Sequence, residues 1–369
     1  MNKCIKHEIT LIQYILAING VQVGTSILTL PSNLAKVAGT DGWISIIMGC
    51  ALTTAISLCI VHLMAKHPGD TMPELLTRYL GKWVGKAVMV IWILYSLLAG
   101  TTILFVTLVI LQTWVLPNTP SYLLVALLMV PTYMIISGGV RVVASYSEIV
   151  FFLTLLLPLL LLLPLKDSHW IYLLPILKEG WMPALYAVKT TAIAFLGFEM
   201  AFLFYPYLQN KKAAAKGIVI ANMITLLVYL QITLGCFAYF SPDEITQFLW
   251  PTLTLVKPIQ FSFLERMEIF YVTLYIFVFS TSGIPYLFFV IDHLSQLCNK
   301  KDWKLPYLLF PLLVVVSFFF RPSYNDLGLL KKWWEWMCYF VAYAFPVVFL
   351  FYITGYTHWK RRKIDDKAG

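Results

Sequence analysis

Two stretches of this chain carry residue types that could do chemistry inside an otherwise apolar sequence. The first is Asn19-Gly20-Val21-Gln22-Val23-Gly24-Thr25-Ser26-Ile27-Leu28-Thr29-Leu30-Pro31. Gly20 and Gly24, a row of small hydroxyl residues and Pro31 weaken helical continuity within one apolar run. Backbone broken at membrane depth is tolerated only where protein or a cavity satisfies its N–H and C=O groups. N–H groups freed at the start of a second half-helix would aim a positive dipole end at an anion such as a carboxylate. Close helix packing through Gly and Ser explains the same residues equally well from this stretch alone. The second is Thr190-Thr191-Ala192-Ile193-Ala194-Phe195-Leu196-Gly197-Phe198-Glu199-Met200. Glu199 is the acidic residue placed well inside a run, whereas Glu148, Glu265, Glu268 and Glu335 fall near run starts, within reach of water. A carboxylate at that depth is costly and is by default a functional hypothesis, with a structural hydrogen bond to a neighbouring helix as its alternative.

The elements that hold these residues follow from composition. The chain has 369 residues, of which 60% are hydrophobic and 12% charged. Its mean hydropathy is +0.79. A soluble domain has about twice that charged fraction, so too few polar side chains exist to cover a water-facing surface. Apolar runs of about 20 residues match a bilayer core instead. Spans are expected near 10–34, 43–64, 84–111, 121–138 and 145–165, then 184–206, 216–240, 265–291, 305–320 and 334–358. The first is read as a span rather than a signal peptide, because its apolar run is long and lacks a cleavage site. The breaks near 65–83 and 241–264 are expected to hold short surface helices that Pro73 and Pro251 interrupt.

Charge placement orients the spans. The net charge of +9 comes from Lys and Arg in short breaks between apolar runs, which excludes a nucleic-acid face and points to a topology signal. The N-terminal Lys3 and Lys6, the Lys66–Lys86 break, Arg141, Lys211–Lys216, Lys300–Lys304 and the Lys360–Lys367 tail hold the larger share. The alternate breaks (Lys36, Lys166, Lys178, Lys257, Arg321, Lys331 and Lys332) hold fewer, which predicts that both termini are cytoplasmic. Trp43, Trp83, Trp114, Trp170, Trp181, Trp250, Trp303, Trp333, Trp334 and Trp359 fall near predicted span ends, as interfacial indoles do. Lys189 is expected to snorkel toward the outer surface. The six cysteines are scattered without Cys-x-x-Cys, and the histidines lack metal spacing, so no metal site or disulfide framework is expected. No cofactor is expected, and no phosphate-binding Gly-rich loop exists to drive transport with ATP. No His, Asp or Ser set recurs at helical spacing inside the spans, which argues against an intramembrane enzyme.

The two unusual stretches stand in the first span of each five-span half. Interrupted helices at matching places point to an inverted-repeat transporter core with its site between them. The expected fold is therefore an all-α polytopic membrane protein of ten transmembrane helices, a LeuT-like five-plus-five inverted repeat with helices 1 and 6 broken. Its halves are 10–165 and 184–358 of a single membrane domain. Thr101 and Thr102 in the third span, and Ser280, Thr281, Ser282 and Gly283 in the eighth, either line a cavity or ion site or pack helices.

The segment Gly24-Thr25-Ser26-Ile27-Leu28-Thr29-Leu30-Pro31, with Asp41-Gly42-Trp43-Ile44 after it, resembles the opening of the B subunits of spore germinant receptors (the GerAB and GerBB type). Gly81-Lys82-Trp83-Val84-Gly85, Phe195-Leu196-Gly197-Phe198-Glu199, Trp250-Pro251-Thr252 and Leu264-Glu265-Arg266-Met267-Glu268 carry the same resemblance along nearly the whole chain. Ala194 to Glu199 also looks like the sixth helix of amino-acid permeases of the amino acid–polyamine–organocation superfamily. The resemblance implies a subunit of the spore inner membrane that recognises a small nutrient, often an amino acid, beside an A-type subunit and a C-type lipoprotein. It places the ligand carboxylate on Gly24-Thr25-Ser26, flanked by Gln22, Ile27 and Thr102. Phe195, Gly197, Phe198 and Glu199 would supply carbonyls to its ammonium group and walls to its side chain. Permeases carry Gly-x-Gly in the first span; here Ser26 stands at the second Gly, where its side chain narrows the pocket or adds a hydroxyl donor. The alternative reading is a proton-coupled amino-acid transporter in which Glu199 takes and releases the proton.

Overall fold

A computed structural model describes residues 8–262, 266–298, 305–320 and 324–368. The expectations placed on Lys3, Cys4, Lys6, Leu264, Glu265, Lys300, Lys301, Trp303, Lys304 and Arg321 lie outside the described residues, as do the side chains from Trp359 onward.

The chain is helical almost throughout. Thr10 starts the first helix with a capping box: its hydroxyl accepts from Gln13 N–H at 3.2 Å, while Gln13 Oε1 accepts from Thr10 N–H at 3.0 Å. Helix α1 (Leu11–Val23) then stops, and α2 (Ser26–Ala38) follows. After it come α3 (Gly42–Ala65), the long α4 (Met72–Trp114), α5 (Ser121–Ser137), α6 (Val140–Thr154) and the short α7 (Leu156–Leu160). The second half begins with α8 (Trp181–Ala194), a turn of 3-10 helix at Phe198–Met200 and α9 (Ala201–Phe204). It continues with α10 (Ala214–Tyr239), the short α11 (Glu244–Gln247) and α12 (Pro251–Val256), α13 (Met267–Leu297) and α14 (Leu309–Phe319). Helix α15 (Tyr324–Cys338) runs through a π-helical turn at Tyr339–Ala344 into α16 (Phe345–Ala368).

Among the described residues, six helices are long and apolar enough to cross a membrane, and the bent pair Trp181–Ala194 with Phe198–Tyr207 makes a seventh. Leu11–Val23, Ser121–Ser137 and Leu309–Phe319 are shorter apolar helices at the remaining expected positions. Broken or short spans therefore account for the gap between the expected ten and the count by length. Phe319, Leu127 and Phe351 point outward at 81%, 62% and 72% exposure, as a lipid-facing surface requires.

Two sequence expectations are corrected here. Pro73 and Pro251 do not interrupt surface helices; each stands in the first turn of one, where its missing N–H leaves no intrahelical bond unmade. The segment from Met72 is also continuous with the third span, bent at Gly81 (φ 79°), rather than separate from it.

Helix α1 lies at the centre, packed against α6, α10 and α13, with α2 against α8 and α12. Helices α4 and α13 run together along much of their length, α15 covers α4, and α16 covers α3. Pro31 lies inside α2 and cannot donate to the Ile27 carbonyl four residues earlier. Thr252 of α12 does so instead, its Oγ1 donating to Ile27 O at 2.9 Å. The proline is thereby tolerated in the membrane, because a neighbouring hydroxyl takes the freed acceptor.

Candidate functional site

The break between α1 and α2 is made by Gly24 and Thr25. Gly24 leaves helical geometry (φ −32°, ψ −123°), and Thr25 then opens α2 without a capping bond from its side chain. A Cβ at Gly24 would stand 2.8 Å from Ser282 Cβ, so only glycine allows α1 to approach α13 this closely. Carbonyls at the end of α1 find side-chain donors. Tyr275 donates to Gly24 O at 2.7 Å and lies 3.2 Å from Val23 O. The Tyr229 hydroxyl lies 2.7 Å from Gln22 O and 2.8 Å from Ala194 O, so its one proton serves both breaks. Ser282 Oγ donates to Gly20 O at 2.8 Å.

The second break falls at Phe195–Gly197, and Gly197 adopts φ +120°, a conformation that side chains rarely take. A Cβ there would sit 2.9 Å from Gln22 N, so the two breaks pack backbone against backbone. Gln22 joins them: its Nε2 donates to Asn222 Oδ1 at 2.8 Å and to Phe195 O at 3.2 Å, and its Oε1 accepts from Thr225 at 2.7 Å. Asn19 Nδ2 adds a bond to Thr225 Oγ1 at 2.9 Å. Within the stretch expected to offer carbonyls to an ammonium group, Phe195 O accepts from Gln22 Nε2. Protein donors already hold Ala194 O and Phe195 O.

Glu199 is fully buried. Its Oε1 accepts from Tyr95 and Tyr286, each at 2.7 Å, and its Oε2 accepts from the Gly197 N–H at 2.8 Å. The carboxylate thus ties α4, α13 and the sixth-span break into one hydrogen-bonded unit, which satisfies the polar group that the membrane interior would otherwise penalise. Phe198 is buried against Tyr343 at 5.1 Å between ring centroids, and Tyr343 donates to Ala192 O at 2.6 Å. Ile27 is buried. Thr102 is buried and donates to Leu98 O of its own helix at 2.7 Å, so it packs α4 and meets neither break.

Open space begins on the other side of the first break. A cavity of about 410 Å³ has Thr25, Ser26 and Thr29 of α2 on one wall, Lys189, Thr190 and Ala194 of α8 on a second, and Lys331, Trp334 and Glu335 of α15 on a third. That volume lies within the range of small-molecule sites, roughly 300–1,000 Å³. Lys36 stands on the α2 wall, one turn above Asn33. Lys189 is exposed, its Nζ 5.5 Å from the centre of the Tyr339 ring. Trp334 is not an interfacial indole as expected: it is 8% exposed and packs inside, and its Nε1–H is buried without an acceptor. Glu335 falls in a continuous helix rather than at a span start, and the cavity gives it access to water.

At the opposite end the core is sealed. Ile9 N–H donates to Tyr207 O at 2.9 Å and Gln209 N–H donates to Ile9 O at 3.1 Å, pairing the start of the first span with the end of the sixth. Gln13 Nε2 reaches Ser145 Oγ at 3.0 Å beside them. No group of His, Cys, Asp or Glu that could hold a metal ion occurs among the described residues. Of the predicted site residues, the structure brings Gln22, Gly24, Phe195, Gly197 and Glu199 into the joined breaks, and only Thr25 and Ser26 reach the cavity. The tyrosines at 95, 229, 275, 286 and 343, Asn222 and Thr225 were not singled out from the sequence, and Trp334 was read only as an interfacial indole. A tyrosine recurring within an apolar span was the available signal, since a buried hydroxyl needs a partner.

Residues 8–325 match the family described as "Spore germination protein". The spore germination protein GerQB of Bacillus cereus is 26% identical, over 89% of this chain and 91% of its own length. The spore germination protein YndE of Bacillus subtilis strain 168 is 25% identical, over 93% of this chain and 95% of its own. The crystal structure of MhsT in complex with L-phenylalanine shares the fold at a TM-score of 0.59 and 13% identity, covering 83% of this chain and 78% of that one. The chain belongs to the spore germination protein family, on a helical fold shared with MhsT.

Proposed function

We propose that this member of the spore germination protein family is the nutrient-sensing membrane subunit of a germinant receptor. The observation that carries the reading is the cavity that descends to Thr25 and Ser26 at the start of α2. An amino-acid carboxylate there would meet the positive end of the α2 dipole and two hydroxyl side chains. Its ammonium group would pair with Glu335, the carboxylate that lines the cavity, while Ala194 O and Phe195 O at the sixth-span break already accept from protein donors. That L-phenylalanine occupies the MhsT structure supports an amino acid on this fold.

Lys and Arg placement supports an outer cavity and cytoplasmic termini, in the spore inner membrane, with 10–165 and 184–358 as inverted five-helix halves. Nutrient seated between α2, α8 and α15 would favour one arrangement of the two broken spans, by no more than its difference in affinity between the arrangements. A-type and C-type lipoprotein subunits would read that bias. The second reading, proton-coupled uptake, is favoured by the buried carboxylate of Glu199; the seal at Ile9 and Gln209 supports sensing without passage in this arrangement.

Vesicles that contain the purified chain separate the two. The expected result is saturable binding of a labelled amino acid without accumulation against a gradient. Concentration of the label inside vesicles without other subunits would replace the sensor with a transporter.

A further inference from the structure

Resting on the nutrient-binding reading, we infer that the cavity selects a small nutrient with a second acidic group: an amino acid with an acidic side chain. The lining is unbalanced in charge and in hydrogen-bonding sense. Among the described residues, Lys36, Lys189 and Lys331 line it, with Glu335 as the one carboxylate. Glu335 stands within electrostatic reach of Lys331, Lys189 and Lys332. A neutral amino acid brings one positive and one negative group and leaves that surplus of cations unchanged. A ligand with a second carboxylate offsets it.

Trp334 lines the cavity as a buried apolar wall, more than nine-tenths out of reach of solvent. Thr25 and Ser26 take the first carboxylate at the start of α2. The second lies toward the exposed Lys36 and Lys189. The amino group meets Glu335. L-Glutamate and L-glutamine have nearly the same shape and differ in the charge of that second group, so their ratio isolates the claim.

The test is binding of L-glutamate, L-glutamine and L-alanine to the full chain in nanodiscs. L-Glutamate is expected to bind about tenfold tighter than L-glutamine, the increment of a charge-assisted bond in a partly desolvated site. Its affinity should fall with added salt while that of L-glutamine holds. Lys36→Gln with Lys189→Gln should shrink the glutamate-to-glutamine ratio toward one, and Lys82→Gln, far from the cavity, should leave it unchanged. If the double variant does not fold, the salt series on the native chain decides. Equal binding of L-glutamine and L-glutamate, or tighter binding of L-glutamine, overturns the acidic-ligand inference and leaves the nutrient site standing. Binding of none of the three removes the nutrient site, and the inference with it.

Discussion

At the residue scale, Glu199 was legible because a carboxylate deep in an apolar run has few explanations. What it touches was not legible. Tyr95 and Tyr286 come from spans far away in sequence, and each sits among apolar residues that read as ordinary lipid or core contacts. Three donors converge on the carboxylate, and the one from Gly197 N–H reaches Oε2. In Glu199→Gln the amide oxygen can still accept from both tyrosines, but the amide nitrogen then faces that backbone N–H, donor against donor. Thermal unfolding in detergent should show a loss of about 1–3 kcal/mol, the usual penalty for a buried group left without its partner. Unchanged stability would mean that the Gly197 N–H finds another acceptor. Thr102 makes an equally local bond: a threonine in a helix readily returns its hydroxyl to the carbonyl four residues back, as it does here to Leu98.

At the scale of elements, the breaks in the first and sixth spans could be read from Gly24, Pro31 and Gly197, because backbone conformation is a local property. Side chains take several of the carbonyls at the breaks: Gln22 donates to Phe195 O, Tyr229 to Gln22 O and Tyr275 to Gly24 O. Thr25 and Ser26, at the start of α2, line the cavity. The two glycines predict different genetics. At Gly24 an added Cβ meets Ser282 Cβ, a side-chain collision; at Gly197 it meets backbone at Val21 and Gln22, and φ there is +120°. Gly24→Ala should abolish the nutrient response and Ser282→Gly should restore much of it. Gly197→Ala should abolish the response with no single side-chain change to rescue it. A functional Gly197→Ala receptor, scored by germination of spores that carry it, would show that the breaks do not pack this tightly.

At the scale of the whole molecule, the chain is closed at the Ile9–Leu208 end and open between α2, α8 and α15. Composition and charge placement were enough for a polytopic helical protein, since bilayer length and Lys/Arg bias act on the chain as a whole. The cavity was hidden because its walls are α2, α8 and α15, three helices whose residues have no common sequence pattern. Trp334 illustrates the limit: near a span end an indole reads as an interfacial anchor, and only packing turns it inward. The most direct test is chemical access to the cavity floor. In a Cys298→Ser background, Ser26→Cys should react with a membrane-impermeant thiol reagent added to the face where α2 ends, and L-glutamate or L-glutamine should slow that reaction. A cysteine that reacts only from the Ile9 face, or whose rate is untouched by either amino acid, would contradict a nutrient bound at the first break.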